Sequence, residues 1–389
     1  MADMGLEKPL VSTARHGAHG FVMRTKGWFG ASYVKASRLT GIGEGLRMNV
    51  RGLGLAGVVF GLTLGFGVGS LRAETCVTQA QMTAADRDGL AAAAAGLARQ
   101  IQANDQAAVK AVTIAEFQKD FGALGELIGT TAAKVKGGAP EVETVYVLDA
   151  SGLKPAVGAA GADAAFNCPL KNGTGEVDFN IPQLPAGRYG FAMVKVNGAA
   201  VPYRLSLLLR QEQVAWHLAG LYPKALTAGG HDGLWYWTEA RAMKSRNEGW
   251  NAWLYLQEAQ ALLQPVGFVS STHLDKLGTE TGAATPPALS SGLSADVPLV
   301  VKGADGVEYA FTAMTVDDSL GKEKVDVAAH LKVASLGDAA AARKRNVDAM
   351  TALVAAHPEL RKAFHGMWIF ADAPGLSAYA TEQAMGEIR

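Results

Sequence analysis

An α+β fold is predicted for this chain by three observations. Apolar residues recur at helical spacing from about residue 83 to residue 136. The period then changes to two over residues 142 to 223, in six segments separated by turn residues at hairpin distances. After a helical hairpin, strand and helix patterns alternate again over residues 297 to 389. Helices that precede a meander of strands pack on one face of an antiparallel sheet. The expectation is therefore an exported multidomain chain: a helix-plus-sheet domain (74–225), an αα-hairpin (226–277), a linker (278–296) and a smaller C-terminal α+β domain (297–389).

The export reading comes from the N-terminus. "MNVRGLGLAGVVFGLTLGFGVGSLRAETC" has a short positive start at Arg51, an uncharged run from Leu53 to Ser70, and a small residue, Ala73, before Glu74. That is the plan of a secretory signal peptide over residues 48–73, although Leu71 is larger than the usual residue at its position. The run is short and glycine-rich for a permanent span, which needs about 20 strongly apolar residues; an uncleaved N-terminal anchor is the alternative. Residues 1–47 show no sustained period and precede Met48, so they read as a non-native upstream extension or a disordered leader. "GLGLAG" at Gly52 to Gly57 matches the dinucleotide fingerprint in form only, because it lies inside the export signal with no strand before it.

Charge supports the same division. The whole chain has 36 basic and 36 acidic residues. Removing the nine basic and three acidic residues of positions 1–73 leaves 27 and 33, a net charge of −6. Such a body exerts no general pull on nucleic acid. The two cysteines, Cys76 and Cys168, both fall in the exported part, where an even pair is most simply a disulfide. It would close a loop of about 90 residues and contribute about 4 kcal/mol. Two unpaired buried thiols are the alternative.

"TAADRDGLAAAAAGLARQIQAND" places Leu90, Ala94, Leu97 and Ile101 on one helical face, with Asp105 at a helix boundary. "IAEFQKDFGALGELIGTTAAKVKGG" repeats the pattern with Phe117, Phe121, Leu124 and Leu127. The strands follow at 142–149, 164–170, 175–181, 187–198, 202–211 and 213–223. In "QVAWHLAGLY", alternation puts Val214, Trp216 and Leu218 on one face and Ala215, His217 and Ala219 on the other. Trp216 is assigned to the core and His217 to the opposite face.

The helices opening with "LARQIQANDQAAVKAV" and the last hairpin "YRLSLLLRQEQVAWHLAGLYPK" resemble the NTF2-like (SnoaL-like, cystatin-like) superfamily over about residues 84–224. The resemblance implies a cone whose open end holds a small apolar ligand; some members are isomerases or dehydratases, and many only bind or dimerise. A homodimer is thus among the expected partners. Catalysis in such a cone needs a tuned acid or base facing a hydrogen-bond donor. Asp178, Tyr189, Tyr203 and His217 are the candidates on the strands, and no partner at catalytic spacing is visible for His217. No catalytic residue is assigned; Tyr189, Tyr203 and His217 are kept as ligand-binding candidates.

"AGGHDGLWYWTEAR", residues 228–241, begins where that sheet ends. Asp232 caps a helix running to about Arg246, and a second helix runs from Trp250 to Gln264 before Pro265. The hairpin faintly resembles a single tetratricopeptide-like unit, with no second copy. Trp235, Trp237, Trp250 and Trp253 cannot all face one seam, so they are expected to glue the hairpin between flanking domains. An exposed strip of Trp235 and Trp237 that binds glycan or protein is the alternative.

"GTETGAATPPALSSGLSAD", residues 278–296, reads as a linker. Strands are expected in "VPLVVKG", "VEYAFTAMTV", "KVDVAAHLKVAS" and "GMWIFADA", with a helix over about Asp338 to His357 that resumes at Glu359, and a terminal helix at the end. His330, His357 and His365 lack metal-ligand spacing, and no metal or cofactor is expected. Neither a G-x-S-x-G nor a P-loop is present. Two function classes remain: an exported, non-catalytic binding or assembly module of a bacterial-type cell envelope, or an NTF2-like enzyme or apolar-ligand carrier using the cone.

Overall fold

The computed structural model describes residues 74–389, apart from residues 171, 172, 174 and 322. The readings for the leader (1–47) and the signal peptide (48–73) lie outside the described residues. The fold is α+β with antiparallel sheets.

The first half is a five-stranded antiparallel sheet covered on both faces. Its strands are β1 (Thr75–Thr78), β2 (Ala139–Asp149), β5 (Arg188–Asn197), β6 (Tyr203–Glu212) and β7 (Ala215–Ala225), side by side in that order. Four helices, α1 (Ala84–Gln102), α2 (Gln106–Ala111), α3 (Ala115–Lys119) and α4 (Gly122–Val135), cover one face. Thr83 caps α1 by accepting from the Asp86 amide at 3.1 Å, and Asp105 caps α2 by accepting from Ala108 at 3.0 Å. The alternating residues of each strand divide between two cores: Val145, Val147, Val194, Leu205, Leu207 and Leu209 meet the helices, while Tyr146, Leu148, Phe191 and Leu208 face away. Gly190 is where α1 comes closest, because a Cβ there would stand 2.4 Å from Leu90 Cδ1.

The face turned from the helices is covered by a small sheet, in which β4 (Glu176–Leu184) lies between β3 (Ala162–Pro169) and β10 (Val269–Ser271). A two-stranded ribbon, β8 (Thr227–Ala228) and β9 (His231–Asp232), and then the hairpin of helices, α5 (Gly233–Ser245) and α6 (Gly249–Leu263), intervene in sequence before β10. The chain thus returns after the hairpin to complete the first half. Cys76 and Cys168 form the disulfide, joining β1 to β3 across 92 positions.

The second half has one continuous core. Tyr236, Ala240 and Met243 of α5, and Ala252, Leu256 and Ala259 of α6, pack together with Phe311, Val327, Leu331, Met367 and Ile369 of a second five-stranded sheet. Its order is β11 (Leu299–Lys302), β12 (Glu308–Asp317), β13 (Asp326–Lys332), β14 (Gly366–Asp372), β15 (Tyr379–Ala384). The β13–β14 pair is parallel and is bridged by α8 (Ala339–Ala356) and α9 (Leu360–Ala363).

Two expectations need correction. Residues 278–284 are no linker: helix α7 spans Thr272–Ala284. Ser271 caps it, Leu277 is buried under it, and Glu280 pairs with Arg241, so tertiary contacts outweigh the low helix propensity of its Gly and Thr residues. Downstream, Leu289 is buried in a 3-10 turn. The terminal helix is the strand β15 instead, because β14 offers an open edge and Thr381, at an alternate position, turns into the core beneath Asn346.

Candidate functional site

The candidates named from sequence fall in four places. Tyr189 and His217 stand in one row across the first sheet, on either side of Arg210: Tyr189 pairs with Arg210 in the β5–β6 register, and Arg210 with His217 in the β6–β7 register. Tyr203 lies toward the other end of β6 and on the helix-covered face, buried in that core. Trp235 and Trp237 belong to α5.

Alternation alone would have lost register partway along β7, but a bulge at Ala219 resets it. Leu208 pairs with Gly220 and Leu209 with Leu218, which keeps Trp216, Leu218 and Leu221 all on the helix side. His217 therefore faces away from the helices, as expected.

Two of the three groups in the row, Arg210 and Tyr189, have their hydrogen bonds met by groups outside it. Arg210 Nη1 and Nη2 donate to Glu116 Oε1 and Oε2 at 3.0 and 3.1 Å, a bidentate fork to α3. Its Nε donates to Glu212 Oε1 at 3.1 Å, and Nη2 also meets that oxygen. Burial opposes charge on Arg210, but the two carboxylates prevail and raise its pKa. Burial likewise acts against charge on Glu116, yet the hydrogen bonds from Arg210 hold it below the usual carboxylate range. The Tyr189 hydroxyl donates to the Pro185 carbonyl at 3.0 Å, and burial pushes its pKa up to about 12. Next to this row Arg188 reaches Asp86 at 3.0 Å and lies over the Trp216 ring. His217 Nδ1 is buried without a hydrogen-bond partner. Arg210, which ties the row together, was legible only as one cation inside "LSLLLRQ".

The two tryptophans of the hairpin have different surroundings. Trp237 is buried; its Nε1 donates to Glu280 Oε2 at 2.7 Å, and Arg241 lies 4.6 Å over its ring. Trp235 is half-buried, and His231 stacks on it with ring centroids 3.7 Å apart and planes 10° from parallel. One face that a sugar would use on Trp235 is thus taken by the chain's own imidazole. Trp250 and Trp253 are buried in the second core.

The remaining candidate, Asp178, opens onto a feature that sequence reasoning missed. On the outer face of the small sheet, Ala165, Asn167, Asp178, Asn180, Ser270 and Asp275 line a cleft of about 290 Å³. Alternation turns Asn167 of β3 and Asp178 and Asn180 of β4 outward, because Phe166, Phe179 and Ile181 turn inward. Asn167 Nδ2 donates to Glu176 Oε2 at 2.8 Å and Asp178 Oδ1 at 2.9 Å, so its carboxamide orients two carboxylates. Ser270 faces Asp178 in the β10–β4 register and donates to Asp275 Oδ1. The missing signal was β10: a three-residue strand distant in sequence gives no periodicity of its own.

Among the described residues no group of three or more His, Cys, Asp or Glu side chains is arranged to hold a metal ion, and no helix is long and apolar enough to cross a membrane. Compared with family models, curated proteins and solved structures, the chain gives no match. The resemblance to the NTF2-like superfamily accordingly stands on sequence pattern alone.

Proposed function

We propose that the chain is an exported, non-catalytic binding module whose recognition surface is the cleft between β3, β4, β10 and the start of α7. The observation that carries this reading is the convergence of two carboxylates, two carboxamides and a hydroxyl from three separate segments on one depression. Carboxylate and carboxamide oxygens accept from hydroxyl groups, and the Asn180 carboxamide also donates, which matches a hydroxyl-rich, glycan-type ligand better than an apolar one. Neighbouring Asp163 and Glu176 extend the acceptor-rich surface along the same sheet face.

The alternative, an NTF2-like enzyme or apolar-ligand carrier, draws on the Tyr189–Arg210–His217 row. It gains little there, since Arg210 is committed to Glu116 and Glu212, Tyr189 to a main-chain carbonyl, and the unpartnered His217 Nδ1 is buried and lines no part of the cleft. A free base facing substrate is what such chemistry requires.

Native mass spectrometry of the protein recovered from the periplasm tests the reading, with oligosaccharide fragments of envelope polysaccharide as the probe. The mature chain is expected to begin after Ala73, to retain added oligosaccharide, and to lose it in Asp178→Ala/Asp275→Ala. A wild-type chain that stays at its apo mass throughout overturns the cleft. An added apolar mass that survives the double substitution favours the alternative.

A further inference from the structure

One end of the second sheet gathers like charges around a buried acid. Asp326 begins β13 with its side chain 2% exposed, and neither carboxylate oxygen accepts a hydrogen bond of ordinary geometry. Every neighbouring strand contributes to its surroundings. From β12, Asp317 is its register partner and is itself buried. From the start of β14, Gly366 supplies no side chain, and a Cβ there would stand 3.0 Å from Asp326 Oδ1 and 3.2 Å from Glu382 Oε1 of β15. The two carboxylates thus lean over the same glycine from opposite sides. His365 is the facing basic group among the described residues, with Nδ1 3.7 Å from Asp326 Oδ1 on a half-exposed ring. Asp317 is already occupied by the amide and hydroxyl of Ser319.

We propose that Asp326 is held as a neutral acid facing Glu382 across Gly366, and that loss of its proton loosens this end of the second sheet. A bare carboxylate there would be desolvated and set against two others, which costs more than a single partly exposed imidazole returns. Burial is the largest influence raising its pKa; Glu382 and Asp317 add to it, while His365 and the nearby Gly366 amide oppose it.

The position gives that proton a mechanical outlet. Val325, the preceding residue, accepts the His365 amide at 2.9 Å, and His365 in turn accepts the Met385 amide at 2.8 Å. The C-terminal residues hang on this corner, with Arg361 donating to the Met385 and Ile388 carbonyls. Val325 also packs on Gly229, where a Cβ would meet its Cγ1 at 2.7 Å, in the segment that joins the two halves. Loosening β13 at its start therefore acts on both the C-terminus and the joint.

The sign follows from linkage. A carboxyl whose folded-state pKa is raised makes the folded state hold the extra proton, so its stabilisation is present below the ordinary value of 3.8 and is lost as pH rises through the raised one. Carboxyl carbon NMR on the mature full chain, read together with amide exchange at Val327 and Met367, tests this. The Asp326 resonance is expected to keep its neutral-acid position after surface aspartates have ionised. Opening at the two amides, corrected for intrinsic exchange, should rise by up to about tenfold per pH unit across that window. Asp326→Asn, which mimics the neutral acid, should abolish this rise. Titration of Asp326 alongside surface aspartates overturns the proposal, as does an identical exchange profile in the variant. The carbon titration on the wild-type chain decides the matter if the variant does not fold.

Discussion

In the first sheet the enclosed ionisable group is Arg210, 16% exposed, met by two carboxylates at hydrogen-bond distance; in the second it is Asp326, 2% exposed, met by no donor of ordinary geometry. Both sheets have five strands and both place the group near a strand end. What separates them is where the partners come from. Glu116 arrives on α3, 94 positions away, so the helical layer supplies the compensating charge. Asp326 has acids beside it on β12 and β15, and the β13–β14 crossover brings only His365. An enclosed ion with its counterions holds neighbouring elements in register, whereas an acid without them stays neutral and becomes a source of instability once its proton is lost.

The largest test of this contrast removes the covalent tie that only the first half has. Cys76→Ser/Cys168→Ser opens a link spanning 92 positions and should cost about 4 kcal/mol. Calorimetry should show the loss in the transition of the first sheet, with the second unmoved. An equal shift of all unfolding would mean that the halves melt as one unit, and the two sheets could then not be compared separately. Arg210→Met comes next. Removing one member of a buried ion pair can cost several kcal/mol, but Glu116 and Glu212 are each more than a third exposed and can rehydrate, so about 2 kcal/mol is expected by chemical denaturation. A neutral result would show that the fork adds no stability and would erase the difference between Arg210 and Asp326.

Much of this was legible in the sequence where periodicity carries the information. The alternation of "PYRLSLLLRQ", the helix boundary at Asp105, the cap at Asp232 and the helix expected from about Asp338 placed their elements within a few residues. Composition misled at 278–284, because Gly and Thr lower helix propensity without preventing a helix that Leu277 and Glu280 anchor. It also misled after residue 378, where a strand exists only because β14 has an edge to fill. The cleft was half visible: Asp178 could be singled out, but Ser270 and Asp275 join it through a β10–β4 pairing about 90 positions apart that no local pattern encodes. Arg210 and Asp326 were invisible as opposites, since the difference lies in partners from other elements.

A smaller effect sharpens the comparison, because it puts a paired carboxylate in the same half as Asp326. Glu280 of α7 accepts from Arg241 Nε and Nη2 at 2.8 and 2.7 Å and from Trp237 Nε1 at 2.7 Å. The Arg241 hydrogen bonds are the largest influence, burial opposes them, and the Trp237 bond adds to them, holding the carboxyl down at about 2. A lowered carboxyl stabilises the fold above the ordinary 4.5, and that contribution drains away as pH falls toward about 2, opposite in sign to Asp326. Glu280→Gln should cost about 1 kcal/mol at neutral pH, discounted for the half-exposed Arg241, and should cost nothing once the wild-type carboxyl is protonated. Denaturation across that acid window checks it. A loss that persists unchanged at the acid end would mean that Glu280 acts through packing on Trp237. The helix α7 would then be held by shape, and the opposite signs expected for Glu280 and Asp326 would no longer be a contrast between a paired and an unpaired carboxyl.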